Sequence, residues 1–206
     1  MTTIQKAGRP IGKTGQAKVL SDKELKQVLK FIEIGNHAKR NTAIVILSNY
    51  LGLRAKELAS IKIDDVMENG SIKKVLRLVA AYTKGAKHRD ISIENKTVIK
   101  TLQDYLLERK IEDGIAFNTS APLFKSQKKT AFSPNAMVRV LGDIYKSAGF
   151  NDASSHTGRR SLITKLAYSG IDLNSVRQIA GHSSIATTQR YIDDNPYLIA
   201  DILKSI

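Results

Sequence analysis

Near the C-terminal end of this sequence, three short groups hold the residue types that phosphodiester chemistry needs. His156-Thr-Gly-Arg159 is followed by Gly181-His182 and, nine residues beyond His182, by Tyr191. Transfer of a phosphoryl group requires that the charge on the non-bridging oxygens be neutralised and that the leaving oxygen be protonated. Two imidazoles, a guanidinium and a phenol supply those functions without a metal ion, with the phenol as candidate nucleophile. Nine residues of unbroken helix rotate by about 900°, which would put His182 and Tyr191 on opposite faces. They share a site only if Gly181 and Ser183-Ser184 reset the chain direction.

The elements that must position these groups are mostly helical. Ser21-Asp-Lys-Glu24 is a capping box that opens a helix with Leu25, Val28, Leu29 and Ile32 on its apolar face, ending near Gly35. A second helix fills Ala38 to Leu51, its run Ala43-Ile-Val-Ile-Leu47 predicts burial on most sides, and Gly52 is a left-handed C-cap. Arg54 then starts a short helix, with Glu57 three residues on, placed either to hold Arg54 in one rotamer or to make an ordinary surface pair. Beyond Ile63 the period changes. Asp65 to Met67, Lys74 to Ala80 and Arg89 to Ile93 read as a three-stranded antiparallel sheet with turns at Asn69-Gly70 and at Lys84-Gly85-Ala86-Lys87. The second turn gathers Lys84, Lys87, His88 and Arg89. Helices resume over Glu94 to Arg109 and Pro134 to Ala148, the latter with Ser133 as N-cap, and a loop over Ile111 to Thr130 carries Lys125, Lys128 and Lys129. Ser154 or Ser155 caps the helix that bears His156 and Arg159, Gly170 ends it, and Asp172 caps the next. The fold class is thus α+β, mainly α-helical.

Lys and Arg together number 33 against 19 Asp and Glu, for a net charge of +14, which points to a polyanion as partner. Residues 1–20 carry Lys6, Arg9, Lys13 and Lys18 with no acidic residue and are broken by Gly8, Pro10, Gly12 and Gly15; they read as a basic flexible arm. No apolar run is long enough for a membrane span or a signal peptide, so no membrane partner is expected and the chain is placed in the cytoplasm. The absence of cysteine removes disulfides and thiolate zinc sites. In the tail, residues 196–206 set Leu198, Ile199, Ile202, Leu203 and Ile206 on one helical stripe that needs a cover, either in cis or on a neighbouring protomer.

Taken together, Gly52-Leu-Arg54-x-x-Glu57, a lysine in a hairpin, His156-x-x-Arg159 and Gly181-His182-Ser-Ser-Ile-x-Thr-Thr-x-x-Tyr191 resemble the catalytic domain of the tyrosine recombinase (phage integrase) family, in order and in spacing, over about residues 20 to 195. The resemblance implies that Tyr191 attacks a scissile phosphate to give a 3′-phosphotyrosyl link and a free 5′-hydroxyl, with no ATP, metal or other cofactor. It implies that Arg54 and Arg159 clamp the non-bridging oxygens. Lys84 would be the acid for the 5′-oxygen, with Lys87 as fallback; His156 would assist proton transfer, His182 would hydrogen-bond the phosphate, and Glu57 would support the site. Lys87, Arg89, Lys125, Lys128, Lys129 and Arg160 are the expected DNA-binding residues. The implied partners are double-stranded DNA, further copies of the chain (a tetramer on paired sites) and an accessory DNA-bending protein, on nucleoid or mobile-element DNA. The expected division is an arm over 1–20, a catalytic domain over 21–195 and an exchangeable C-terminal helix over 196–206. Two features depart from the family pattern. Gly158 and Arg160 stand where leucine and histidine are frequent, so Arg160 either touches phosphate or pairs with a carboxylate. About twenty residues precede the capping box where most members have a DNA-clamping domain, so either the basic arm substitutes or the chain is a minimal form of the fimbrial-inversion type. A type IB topoisomerase, or a relative that binds DNA without cutting it, are the other readings of the same residues.

Overall fold

A computed structural model describes residues 17–82 and 88–193. The arm residues Lys6, Arg9 and Lys13, the hairpin residues Lys84 and Lys87, and the tail stripe lie outside them. Helix α1 (Asp22–Glu33) starts on the capping box, in which the Ser21 hydroxyl accepts from the Glu24 N–H and the Glu24 carboxylate accepts from the Ser21 N–H. The residues just before it pack on the body: Leu20 is buried, its N–H donates to Ser161 Oγ at 2.8 Å, and Lys18 pairs with Glu24 at 3.2 Å.

Helix α2 (Ala38–Tyr50) is the central strut. Every residue from Ala43 to Asn49 is buried, because helices on different sides cover it. Short helices α3 (Ala55–Ser60) and α4 (Ile63–Val66) follow. The expected three-stranded sheet is instead two separate antiparallel pairs among the described residues: β1 (Met67–Glu68) with β2 (Ser71–Ile72), and β3 (Val75–Leu78) with β4 (Arg89–Ser92). Asn69 and Gly70, both at positive φ, close a two-residue hairpin whose pairing the Lys73 N–H extends in register to Val66 O at 2.9 Å, and the chain then leaves β1 and pairs with β4 from Val75. Asp65 accepts from the Lys62 N–H at 2.8 Å, so Asp65 and Val66 complete α4 instead of extending a strand.

Helix α5 (Lys96–Asp113) starts later and ends later than the apolar period indicates. The Asn95 side chain accepts from the N–H groups of Thr97 and Val98, and the buried Arg109 pairs with Asp113 one turn on, at 2.9 Å. A 3-10 turn (Gly114–Ala116) leads to a connection that contributes Leu123 and Phe124 to the core. Helix α6 (Pro134–Ser147) follows, with Ser133 as N-cap, then α7 (Thr157–Tyr168), α8 (Leu173–Ala180) and α9 (Ile185–Asp193). One large apolar core runs from Leu20 to Phe150. A second, small one joins Ile163, Val176 and Ala180, with Leu166 and Tyr191 packed against it. No described helix is long and apolar enough to cross a membrane.

Replacing Asn95 by Ala removes the oxygen that satisfies two N–H groups at the start of α5 and is expected to cost about 1 kcal/mol of stability, read as a lower urea midpoint at unchanged slope.

Candidate active site

The site is built around the end of α8. Asp172 caps the start of that helix by accepting from the Asn174 and Ser175 N–H groups, and Gly181 ends it in the left-handed region at φ 60°. The terminal carbonyls carry the negative end of the helix dipole, and three arginines from three other elements meet them. Arg159 of α7, 4% exposed, donates from Nη1 to Gly52 O at 2.8 Å and from Nη2 to Ala180 O. Arg89 of β4 donates from Nη1 to Ala180 O at 2.8 Å and to Ile179 O at 3.3 Å. Arg54, the residue before α3, reaches Gly181 O from Nη2 at 3.5 Å.

Glu57, buried on α3, is the counter-charge. Its Oε1 accepts from Arg54 Nη1 at 2.9 Å, and its Oε2 accepts from the Arg54 backbone N–H at 2.8 Å and from Arg89 Nη2 at 3.0 Å. One carboxylate against three guanidiniums leaves a surplus of positive charge. Burial, with the charges of Arg54 and Arg89, draws the pKa of Arg159 down to about 9, which still leaves it a cation at neutral pH. The arrangement is therefore an incomplete ionic cluster, suited to a small dianion or to a phosphodiester.

The turn at Gly181-His182-Ser183-Ser184 does reverse the chain. The rings of His182 and Tyr191 stack, with centroids 5.7 Å apart and planes 19° from parallel. His182 is 8% exposed, and its Nδ1 lies 2.9 Å from the buried Thr188 hydroxyl. If that hydroxyl donates to Nδ1, the ring hydrogen is on Nε2, available to an anion. Burial, and then the charges of Arg159, Arg54 and Arg89, lower the His182 pKa to about 4, so the ring is neutral at physiological pH. The Arg160 guanidinium lies 5.7 Å from the centroid of the Tyr191 ring. His156 occupies the N-cap position of α7, where Ser154 or Ser155 was expected. Ser154 instead bridges the entry to the helix, its Oγ accepting from the His156 N–H and its own N–H donating to Thr157 Oγ1. The His156 ring is exposed, and desolvation together with Arg159 and Arg54 lowers its pKa.

Gly158 has a steric reason. A Cβ there would lie 2.6 Å from Ser48 Oγ and 2.7 Å from Asn49 Nδ2, so α7 crosses α2 at a distance that excludes a side chain. Asn49 is fixed in turn by donating to Val45 O and to the Tyr145 hydroxyl.

The structure thus brings Arg54, Glu57, Arg159, His182 and Tyr191 together, with His156 and Arg160 beside them. Two expected DNA contacts are elsewhere. Arg89 has a 9% exposed side chain taken up by Glu57 and α8, and Lys125 Nζ is bound to Asp113 at 2.7 Å, in the network of Arg109. Lys128 and Lys129 are exposed, in a connection whose flanks pair at Lys125 and Ala131. The residues sequence reasoning missed are Thr188, whose only signal is its place in Thr187-Thr188 ahead of Tyr191, and the carbonyls of Ile179 and Ala180, which leave none. Among the described residues no three His, Cys, Asp or Glu side chains gather as metal ligands.

Residues 18–197 match the model of the phage integrase family. The chain belongs to the phage integrase family. Among its relatives, the tyrosine recombinase XerA of Pyrococcus furiosus is 30% identical over 175 residues, 84% of this chain and 56% of that protein. The tyrosine recombinase XerC of Pelobacter propionicus is 29% identical over 157 residues, 76% of this chain and 48% of that protein. The chain therefore spans about half the length of the curated relatives it matches. A crystal structure of XerA recombinase superposes with a TM-score of 0.73 at 26% identity, covering 91% of this chain and 64% of that one. The recombinase XerH in a pre-cleavage complex with its difH substrate superposes with a TM-score of 0.66 at 27% identity, over 89% of this chain and 52% of that one. The fold is that of the phage integrase catalytic domain, mainly helical with small antiparallel sheets.

Two expectations follow for this integrase-family domain. Between about pH 6.5 and 4 the unfolded chain holds the His182 proton that the folded chain has already released. More protons on the unfolded state means that stability is complete above that window and falls as pH drops through it. The urea midpoint should decline over that range, and His182→Asn should flatten the decline. For the crossing of α7 and α2, Gly158→Leu is expected to cost about 1–3 kcal/mol through overpacking. In contrast, Gly142→Ala, in α6 where an added Cβ meets nothing, is expected to gain about 0.5–1 kcal/mol. Urea titrations of the two variants measure both.

Proposed function

We propose that this chain is the catalytic part of a site-specific DNA recombinase, cutting and rejoining strands through a covalent bond to Tyr191. The observation that carries the reading is the stack of Tyr191 on a neutral, Thr188-bound His182 beside the Arg54 and Arg159 cluster. A phenol with an ordinary pKa of about 10 needs a positive neighbourhood to act as a nucleophile at neutral pH, and this cluster provides one. The Tyr191 oxygen attacks phosphorus and the bond to the 5′-oxygen breaks. The energy of the broken bond is kept in the phosphotyrosine, which a 5′-hydroxyl of the same or another strand then attacks in reverse.

Arg54 and Arg159 would hold the non-bridging oxygens as charge shifts onto them, His182 would donate to one of them, and His156 would carry the phenol proton. Lys84 would protonate the leaving 5′-oxygen. The related site-specific recombinase XerH is seen bound to its difH substrate before and after cleavage, which supports DNA as the partner here. The finer organisation belongs to the same proposal: a catalytic domain over residues 21–195 that assembles as a tetramer on paired sites, with the 196–206 segment exchanged between protomers, an accessory DNA-bending protein, and a cytoplasmic location on nucleoid or mobile-element DNA. The exposed Lys128 and Lys129 would face the duplex.

The test is capture of denaturant-resistant protein–DNA adducts from a random-site duplex library carrying nicks, followed by sequencing of the attached DNA. The parent chain is expected to form adducts and Tyr191→Phe none. Arg159→Ala and Arg54→Ala should slow adduct formation about 100-fold or more. DNA binding without adducts from the parent chain would move the protein to a non-cutting role.

A further inference from the structure

Arg89 lies on β4, just beyond the hairpin that the family reading makes the source of the leaving-group acid, and charge pattern alone assigns it to the DNA surface. Its surroundings contradict that assignment. The side chain is 9% exposed, and its Nε has no hydrogen-bond partner among the described residues. Its two terminal nitrogens go to different elements: Nη2 to Glu57 Oε2 on α3, Nη1 to the carbonyls of Ala180 and Ile179 at the end of α8. A Cβ on Gly181 would lie 2.8 Å from Arg89 Cδ, so the glycine that ends α8 also makes room for this side chain.

Glu57 has to orient Arg54 without cancelling it. A carboxylate paired with one guanidinium forms a neutral unit, and a neutral unit is a poor ligand for a phosphate oxygen. Shared between two guanidiniums, the same carboxylate holds Arg54 by two hydrogen bonds while the group as a whole stays cationic. Only a planar fork spans the two acceptor sets; a lysine at this position reaches one of them.

We propose that Arg89 is a positioning residue of the cleavage site, one that shares Glu57 so that Arg54 is oriented but not neutralised, and that pins the end of α8 from which His182 projects. The proposal rests on the strand-cleavage reading above. Arg89 itself touches no DNA.

The experiment measures adduct formation and DNA affinity on the same nicked duplex for the parent chain, Arg89→Lys and Arg89→Met, with Glu57→Gln and the Glu57→Gln/Arg89→Met pair completing a cycle. The expected result is adduct formation slowed about 10-fold by Lys and about 100-fold by Met. DNA affinity should stay within about threefold of the parent with an unchanged salt slope, since loss of a phosphate contact would lower that slope by about one. The cost of Met should shrink once Glu57 is already Gln, because the shared partner is gone. A duplex with sulfur at the 5′-bridging position, whose leaving group needs no acid, should leave the defect in place. Recovery on that substrate would mean that Arg89 acts by placing the hairpin lysine, and would overturn the proposal. So would a reduced salt slope, additive effects in the cycle, or full adduct rates in both variants while the parent is active. A parent chain that forms no adduct at all would instead remove the cleavage reading, and this proposal with it. Arg89→Lys keeps the charge inside the fold, so it reports even if Arg89→Met does not fold.

Discussion

Three guanidinium groups meet at the carbonyl end of α8 and two of them share one buried carboxylate, and this imbalance of charge sets how the surrounding elements are built. Like charges several ångströms apart repel by roughly 2–4 kcal/mol per pair at an effective dielectric constant near 20. Such a cluster persists only if each member is held by hydrogen bonds that the rest of the fold provides. Gly52 gives a carbonyl to Arg159, the last turn of α8 gives carbonyls to all three arginines, and Glu57 gives both of its oxygens. An incoming phosphate would relieve the repulsion left over. Affinity for such an anion would thus be prepared during folding, with no rearrangement of the donors required as charge develops on its oxygens.

The same field acts on the histidines. Burial first, and then this field, lowers both imidazole pKa values, which favours neutral rings at His182 and His156 instead of two more fixed charges. The Thr188 hydroxyl fixes which way the His182 ring faces, and the ring in turn supports Tyr191 by stacking.

Much of this was legible in the amino-acid sequence because it depends on local rules. Ser21 with Glu24 and Ser133 with Pro134 announce helix starts by the hydrogen bonds they make within one turn, Gly52 and Gly181 announce ends by the backbone angles they tolerate, and an unbroken apolar run in α2 announces burial on every side. The convergence of Arg54, Arg159, His182 and Tyr191 follows from motif order. What was not legible depends on partners far away along the chain. The split of the sheet rests on Val75 to Leu78 pairing with β4 while Ser71 and Ile72 pair with β1, and residue pattern does not record that change of partner. Arg89 and Lys125 read as surface cations because the sequence shows their charge and hides Glu57 and Asp113, which lie 32 and 12 residues away. Gly158 read as a departure from pattern, since the need for it lies in Ser48 and Asn49 on another helix.

The division of apolar contacts into two cores ranks the parts of the molecule by how readily they let go. The large core holds α1 to α6 and is indifferent to what α9 does, whereas Tyr191 rests on a cluster with three buried members, Ile163, Val176 and Ala180. Local opening costs least where the fewest apolar contacts are lost. Tyr191, the proposed nucleophile, therefore rides on a segment fastened by few apolar contacts and Arg159 on a helix shared with that small cluster, while Arg54 and Arg89 are rooted beside the large core. A molecule fastened in that order could move Tyr191 at small cost while Arg54 and Arg89 stay in place.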